Sequence, residues 1–210
     1  YRTDSGSRFK LLAIANRLDN NITRERFAVQ DDGTAQKNLY LNTASVTDER
    51  IIRGSYTMGL AQNHDVEFGV ERAQTILDSN LAFGLLSSTG IPSANTGGLV
   101  PQLVSNANSK VEEMRYEPFA VYNWTISPKL TLETTLLYES STITQSGDVS
   151  NERDFSFVKP KIDLRYDMTS NLQLRGTIEK SVNQLSFSDF VASNDDEDND
   201  AATQAGNAQL

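Results

Sequence analysis

"FVKPKIDLRYDMTSNLQLRGTIEKSV", residues 157–182, reads as two strands around a tight polar turn. Before the turn, Lys159, Lys161, Asp163 and Arg165 alternate with Val158, Pro160, Ile162, Leu164 and Tyr166. After it, Leu172, Leu174 and Ile178 alternate with Gln173, Arg175, Thr177 and Glu179. Period-2 alternation marks a strand with two unlike faces. One face is apolar and the other charged. Two solvent pairs satisfy that pattern: a protein core against water, or lipid against a wet lumen.

The same alternation recurs along the chain and places seven long strands. The first covers Ser7–Arg17, with Phe9, Leu11, Ala13 and Ala15 on one face. The second covers Glu49–Ala61, with Ile52, Gly54, Tyr56, Met58 and Leu60. The third starts at Asp65 and sets Val66, Phe68 and Val70 against Glu67, Gly69 and Glu71. The fourth covers Lys110–Ile126, with Met114, Tyr116, Pro118, Ala120, Tyr122 and Trp124. The fifth covers Leu130–Thr142, with Leu132, Leu136 and Tyr138, and the opening pair completes the set. Charges such as Arg53, Arg115, Glu117, Glu133 and Glu139 fall on the opposite faces, whereas those on the apolar faces, such as Glu112 and Lys180, lie near strand ends. A soluble sandwich also alternates, so the sorting alone leaves both solvent pairs open. Residues 72–86 fit a helix face through Ile76, Leu77, Asn80, Leu81, Gly84 and Leu85, but are read by preference as the third strand continuing.

The connections discriminate better. Short ones at 61–65, 126–130 and 167–171 alternate strictly with long ones at 18–48, 84–109, 143–154 and 183–210. In an antiparallel meander this puts every short turn at one end and every long loop at the other, as in outer-membrane barrels with short periplasmic turns and long extracellular loops. The strands run about 11–14 residues, against about 5–6 in soluble sheets and about 9–11 for a tilted membrane strand. Trp124 and Tyr166 sit beside short turns and Tyr138 and Phe155 toward the long loops, which suits two aromatic girdles. The fold expected is all-β: an antiparallel up-and-down meander of long strands forming part of a transmembrane β-barrel.

Composition narrows the chemistry. The 210-residue chain carries a net charge of -9 and shows no basic patch, which disfavours nucleic acid as a partner. It has no cysteine, so neither disulfides nor thiolate metal sites arise. Mean hydropathy is -0.45. No run approaches the about 20 apolar residues of a membrane helix, a test that barrel strands escape. The single histidine, His64, lies in a Gln-Asn-His-Asp turn and reads as an exposed turn residue without a partner. The acidic run at 194–200 lacks the glycine and ligand spacing of a calcium loop and reads as solvated. Glu67 and Glu71, four apart on a strand, lie roughly 13 Å apart, too far for a glycosidase pair. No Gly-x-Ser-x-Gly elbow or phosphate loop occurs, so no enzyme is expected and no cofactor or metal is implied.

Several stretches resemble the barrel region of TonB-dependent outer-membrane receptors. They are "HDVEFGVE" (64–71), "SPKLTLETTLLYESSTITQSGD" (127–148), "SNERDFSFVKPKIDLRYDMTSNLQLRGTIEKSVNQLSFSDFVAS" (150–193) and the terminal "AGNAQL" (205–210), where Ala208 replaces a proline frequent in the family. The resemblance implies a Gram-negative outer-membrane location and energy coupling to the TonB complex through parts outside this chain. It also implies a plug domain, absent from this stretch, and uptake of a scarce nutrient such as a siderophore, a cobalamin-like compound, a glycan or a peptide. No ligand-specifying residue carries over.

On this reading Arg53, Glu67, Glu71, Arg115, Glu117, Glu133, Lys161, Arg165, Arg175 and Glu179 face the lumen. Opposite charges there are expected to pair across adjacent strands at roughly 0.2–1 kcal/mol each. An Arg or Lys facing mid-membrane lipid costs about 2–4 kcal/mol, which explains its avoidance on the other face. The competing reading is a soluble β-sandwich binding or adhesin module with its apolar faces packed together. Because bacterial single-chain barrels use even strand numbers from 8 upward, seven strands are expected to be an internal fragment.

Overall fold

The structure is a computed structural model, and it describes residues 1–4, 6–182, 186–194 and 203–204. Seven long strands form one antiparallel sheet: β1 (Arg8–Val29), β2 (Ala35–Ala61), β3 (His64–Leu85), β5 (Asn108–Ser127), β6 (Leu130–Gly147), β7 (Asn151–Thr169) and β8 (Leu172–Glu179). Each pairs with the next in chain order, and a two-residue strand β4 (Val100–Pro101) adds to the end of β3. Short strands β9 (Ser193–Asn194) and β10 (Thr203–Gln204) pair separately. The long strands build a single curved sheet, an open half-barrel, rather than two sheets packed face to face.

Register fixes the faces. Phe9 pairs with Tyr56, Tyr56 with Phe68, and Phe68 with Ala120. Leu136 pairs with Ala120 and Pro160, and Ile162 with Ile178. Directly paired residues share a face, so the apolar sets of all seven strands merge into one belt. Belt residues are exposed: Phe68 is 47%, Leu136 54% and Ile178 77% accessible. On the opposite face Glu139, Phe119 and Ser55 are buried, as expected for the concave side of a curled sheet.

The three short connections contract to one repeated device, a two-residue turn at 62–63, 128–129 and 170–171. Each is preceded by one extra residue on the incoming strand, at Leu60, Ile126 and Met168, where the register shifts. Such a bulge bends the strand and increases its local twist. Asn63 takes a left-handed φ of 68°, which asparagine tolerates. The Asn63 and Lys129 carbonyls accept the amides of Thr125 and Asp167 from the next hairpin, at 2.9 and 2.8 Å. The turns are thus stitched edge to edge.

The other end corrects the sequence reading. Residues 18–48, expected to be a loop, are paired strand except at 30–34, and 143–154 except at 148–150. Strands β1 and β2 reach 22 and 27 residues, not the expected 11–14. Residues 72–85 continue β3, which agrees with the preferred of the two readings. Residues 86–107 do form a long connection, which contains β4 and a 3-10 turn at Ala94–Thr96. Of 183–210, expected to be a long outer loop, the described part includes a 3-10 turn at Phe187–Phe190 that packs onto the concave face. Residues 195–202 and 205–210, which include most of the acidic run and the terminal motif, lie outside the described residues.

Candidate functional site

The concave face divides into tiers. Nearest the short turns, Asn123, Glu133, Asp163, Arg165, Arg175 and Thr177 surround an open cavity of about 410 Å³. Lys161 Nζ lies 2.9 Å from Asp163, and Arg165 lies 3.0 Å from Asp167. Thr177 donates its hydroxyl hydrogen to Asp163, and Arg175 donates to Gln173. Pairing across the sheet was expected from sequence, but Lys161 and Arg165 pair along their own strand, two residues on. Residues i and i+2 share a face, and Glu133 instead stands opposite Asp163. Glu179 is the register partner of Lys161.

The middle tier is a connected charge ladder. Arg53, Glu71 and Glu117 stand in one row across β2, β3 and β5, so two carboxylates face each other directly. Like charges in that relation are destabilising. Arg115, one layer up, answers this: its guanidinium lies 3.7 Å from Glu71 and 3.5 Å from Glu117. Arg53 approaches Glu71 at 3.6 Å, and Lys159 bridges Glu117 at 3.6 Å and Glu139. Three cations and three carboxylates therefore alternate across β2, β3, β5, β6 and β7. The Arg53 guanidinium carbon also lies over the Phe119 ring, 4.2 Å from its centroid. A Cβ on Gly69 would approach that ring to 2.7 Å, so the glycine leaves the groove the ring fills. Glu67 stands apart, 3.9 Å from Lys10 and 3.3 Å from the Thr57 hydroxyl.

The upper tier is apolar. Val111, Ile143, Phe190 and Val191 form one buried cluster, and Leu39, Leu41, Leu81 and Ala192 another. The chain after β8 returns over the concave face to complete both. Gln145, 2% exposed, anchors it by donating to the Phe190 carbonyl at 2.9 Å and to the Ser109 hydroxyl at 3.0 Å.

The structure thus unites Arg53, Glu71, Arg115 and Glu117 in one network. It gathers Glu133, Arg165 and Arg175 about the lower cavity and leaves Glu67 in a separate pair with Lys10. Sequence reasoning placed Lys159 and Glu139 on the charged face but missed their role as the ladder's far end. It also missed Phe119, whose signal was an aromatic out of phase with its strand's apolar set, and Gly69, a mid-strand glycine. His64 is corrected too. It opens β3, its Nδ1 lies 2.7 Å from the Tyr122 hydroxyl, and its ring stacks against Tyr122 and Trp124, because register sets it opposite Trp124.

A family model described as TonB dependent receptor-like, beta-barrel, matches residues 1–210. The chain belongs to this family. No curated protein sequence matches it significantly. TonB-dependent receptors are, as a family, outer-membrane transporters that bind ligands and interact with TonB.

Proposed function

We propose that this chain forms one wall of an outer-membrane receptor-transporter for a scarce nutrient, working by binding and gated passage without catalysis. The observation that carries the reading is a single sheet with a continuous exposed apolar belt on one face and charge pairs on the other. On this reading the belt meets lipid, the two-residue turns face the periplasm, and the opposite end faces outward. Arg53, Glu67, Glu71, Arg115, Glu117, Glu133, Lys161, Arg165, Arg175 and Glu179 line the lumen. The ladder keeps the wall rigid and wet, and the open lower cavity offers both signs of charge to a passing ligand or to the plug. The ligand class is a siderophore, a corrinoid, a glycan or a peptide. Energy enters through TonB and parts of the receptor beyond this wall.

The test has two arms. The receptor made in the cell should fractionate with the outer membrane and migrate faster on gels before boiling than after; full solubility without detergent contradicts the reading. Deleting its gene should slow growth when one nutrient of those classes is limiting, and loss of TonB should have the same effect. No growth defect on any of them contradicts transport.

A further inference from the structure

The upper inner wall is an apolar groove that the chain fills with a piece of itself. The sheet brings Leu77, Val111, Ile143 and Phe155 to one end of the groove, and Phe190 and Val191 cover them. It brings Leu39, Leu41 and Leu81 to the other end, where Ala192 covers them. Two connections of this end meet the sheet in different ways. Residues 86–107 are held by backbone: the Leu81, Leu86 and Gln102 amides donate to the Ala107, Asn38 and Phe83 carbonyls, at 2.8, 3.1 and 2.8 Å, so each bond joins the connection to a strand. Among the described residues, no backbone-to-backbone hydrogen bond ties 187–192 to the sheet. That segment docks through side chains, and a segment outside the ladder opens at lower cost than the strands beneath it.

Gln145 shows what the groove is shaped to hold. Its Nε2 donates to the Phe190 carbonyl and to the Ser109 hydroxyl. Its Oε1 is buried and, among the described residues, has no hydrogen-bond partner. Buried acceptors are ordinarily satisfied, because an open one loses its hydration without return. The segment thus satisfies the donor side of this carboxamide and leaves the acceptor side open. An extended peptide residue presents its own C=O and N–H on one edge, and so offers a partner to each side. The apolar fit is close, with a cavity of only about 10 Å³ left beside Ile143, Phe155 and Phe190. Charge selects nothing further: register sets Ile143 between Glu113 and Arg153, one of each sign.

We propose that this groove binds an apolar stretch of a peptide, and that residues 187–192 are its built-in competitor, expelled when the peptide takes their place. The proposal rests on the reading that this wall lines the passage, and it narrows the ligand to a peptide. The incoming peptide sets an apolar side chain against Val111 and Ile143. Its carbonyl accepts from Gln145 Nε2, and its N–H donates to Gln145 Oε1. Segment and ligand exclude each other, so a filled groove marks the unloaded receptor and a released segment the loaded one.

The test adds acetyl-Phe-Val-Ala-amide, the sequence of residues 190–192, to the full receptor in detergent. Hydrogen exchange at the 187–192 amides should accelerate as the peptide saturates, while the belt strands stay protected. Phe190→Gly/Val191→Gly weakens the competitor and should bind the peptide about tenfold more tightly than the wild type, as for a groove open about a tenth of the time. Gln145→Leu added to that variant should weaken binding severalfold. Maltotriose and acetyl-Ser-Glu-Ser-amide should not bind. Equal or weaker binding by the double variant overturns the competitor. No peptide binding by either protein, or equal binding of maltotriose, overturns the site. Should the double variant lose heat-modifiable migration, exchange in the wild type decides alone, and no acceleration overturns the proposal. Failure of the transport reading looks different. A receptor fully soluble without detergent sinks that reading, whereas one that inserts into membranes and ignores the peptide sinks only the groove.

Discussion

The lower and upper halves of the sheet are built on the same strands but with opposite polarity. Near the short turns the outer face carries Phe68, Tyr122, Leu132 and Ile162, and the inner face Glu67, Glu133 and Lys161. Toward the other end the outer face turns polar, with Asp48, Gln74, Thr142 and Asp154, while Leu41, Val111 and Ile143 are buried inside. On β5 the crossover is visible in one odd-numbered series, Glu117, Arg115, Glu113 and then Val111. The strand does not change phase. What changes, on the proposed reading, is the medium each face meets: below, lipid outside and water within; above, water outside and, within, the returning piece of chain that packs on Val111 and Leu41. Backbone pairing is indifferent to this, because the ladder of N–H and C=O groups continues whatever the side chains are.

The contrast can be broken most severely at the belt. Leu136→Arg should nearly abolish assembly into membranes, at a cost of about 2–4 kcal/mol near the bilayer midplane. Thr142→Arg, on the same face of the same strand but in its upper half, should assemble normally, and Thr177→Arg on the inner face should be mild. The folded fraction, read by heat-modifiable migration after insertion, checks all three; equal damage means that the register is misassigned by one residue.

Next in size is the inner apolar tier. Val111 is 0% exposed and packs with Ile143, Phe190 and Val191. Val111→Asp should cost about 2–3 kcal/mol, because an unpaired polar group replaces a buried methyl pair. Most of that loss should appear as release of residues 187–192, seen as rapid limited proteolysis there while the belt strands stay protected.

These two tests also explain what the sequence could and could not reveal. The lower half was legible because hydropathy alternates strongly there, and because two-residue turns with Asn63 and Asn171 punctuate it. In "LDNNITRER" (18–26) one face is wholly polar and the other mixes Leu18 and Ile22 with Asn20, Arg24 and Arg26, so the period fades although β1 continues to Val29. At β6 the apolar residue moves to the inner face at Ile143, and that inversion looked like a strand end. The inner charges were legible as a face but not as partners. Register decides that Glu71 meets Glu117, and only the layer above shows why Arg115 is needed.

A smaller effect is expected within the ladder. Arg115→Met leaves Glu71 and Glu117 face to face, and should destabilise the folded barrel by about 1–2 kcal/mol, discounted for partial exposure. A combined Arg115→Met/Glu117→Gln change should recover much of this in urea unfolding from bilayers; no recovery would mean that the ladder pairs are energetically silent.

Smallest is the tip of the first hairpin. The Asp32 carboxylate accepts hydrogen bonds from the Thr34 hydroxyl and amide, at 2.6 and 2.9 Å, which holds its pKa below the usual value. Because the folded-state pKa is the lower one, this contribution is complete above the ordinary carboxylate range and is lost as pH falls through the depressed value. Amide exchange at Gly33 and Thr34 should therefore show extra acceleration on acidification below about pH 4, and Asp32→Ala should remove the pH dependence.

On the proposed reading the sheet meets lipid on the face that holds the even-numbered residues of β6, and only in its lower half. The chain contains no cysteine, so single cysteines can be placed at each position of β6, Leu130–Gly147, and spin-labelled in the receptor embedded in bilayers. Accessibility to oxygen, which dissolves in lipid, should peak at 132, 134, 136 and 138 and alternate with accessibility to a water-soluble nickel chelate at odd positions. Above 140 the oxygen peaks should disappear, with the even positions becoming accessible to nickel and 141, 143 and 145 to neither. Oxygen peaks on odd positions, or an unbroken alternation through 147, would contradict the account.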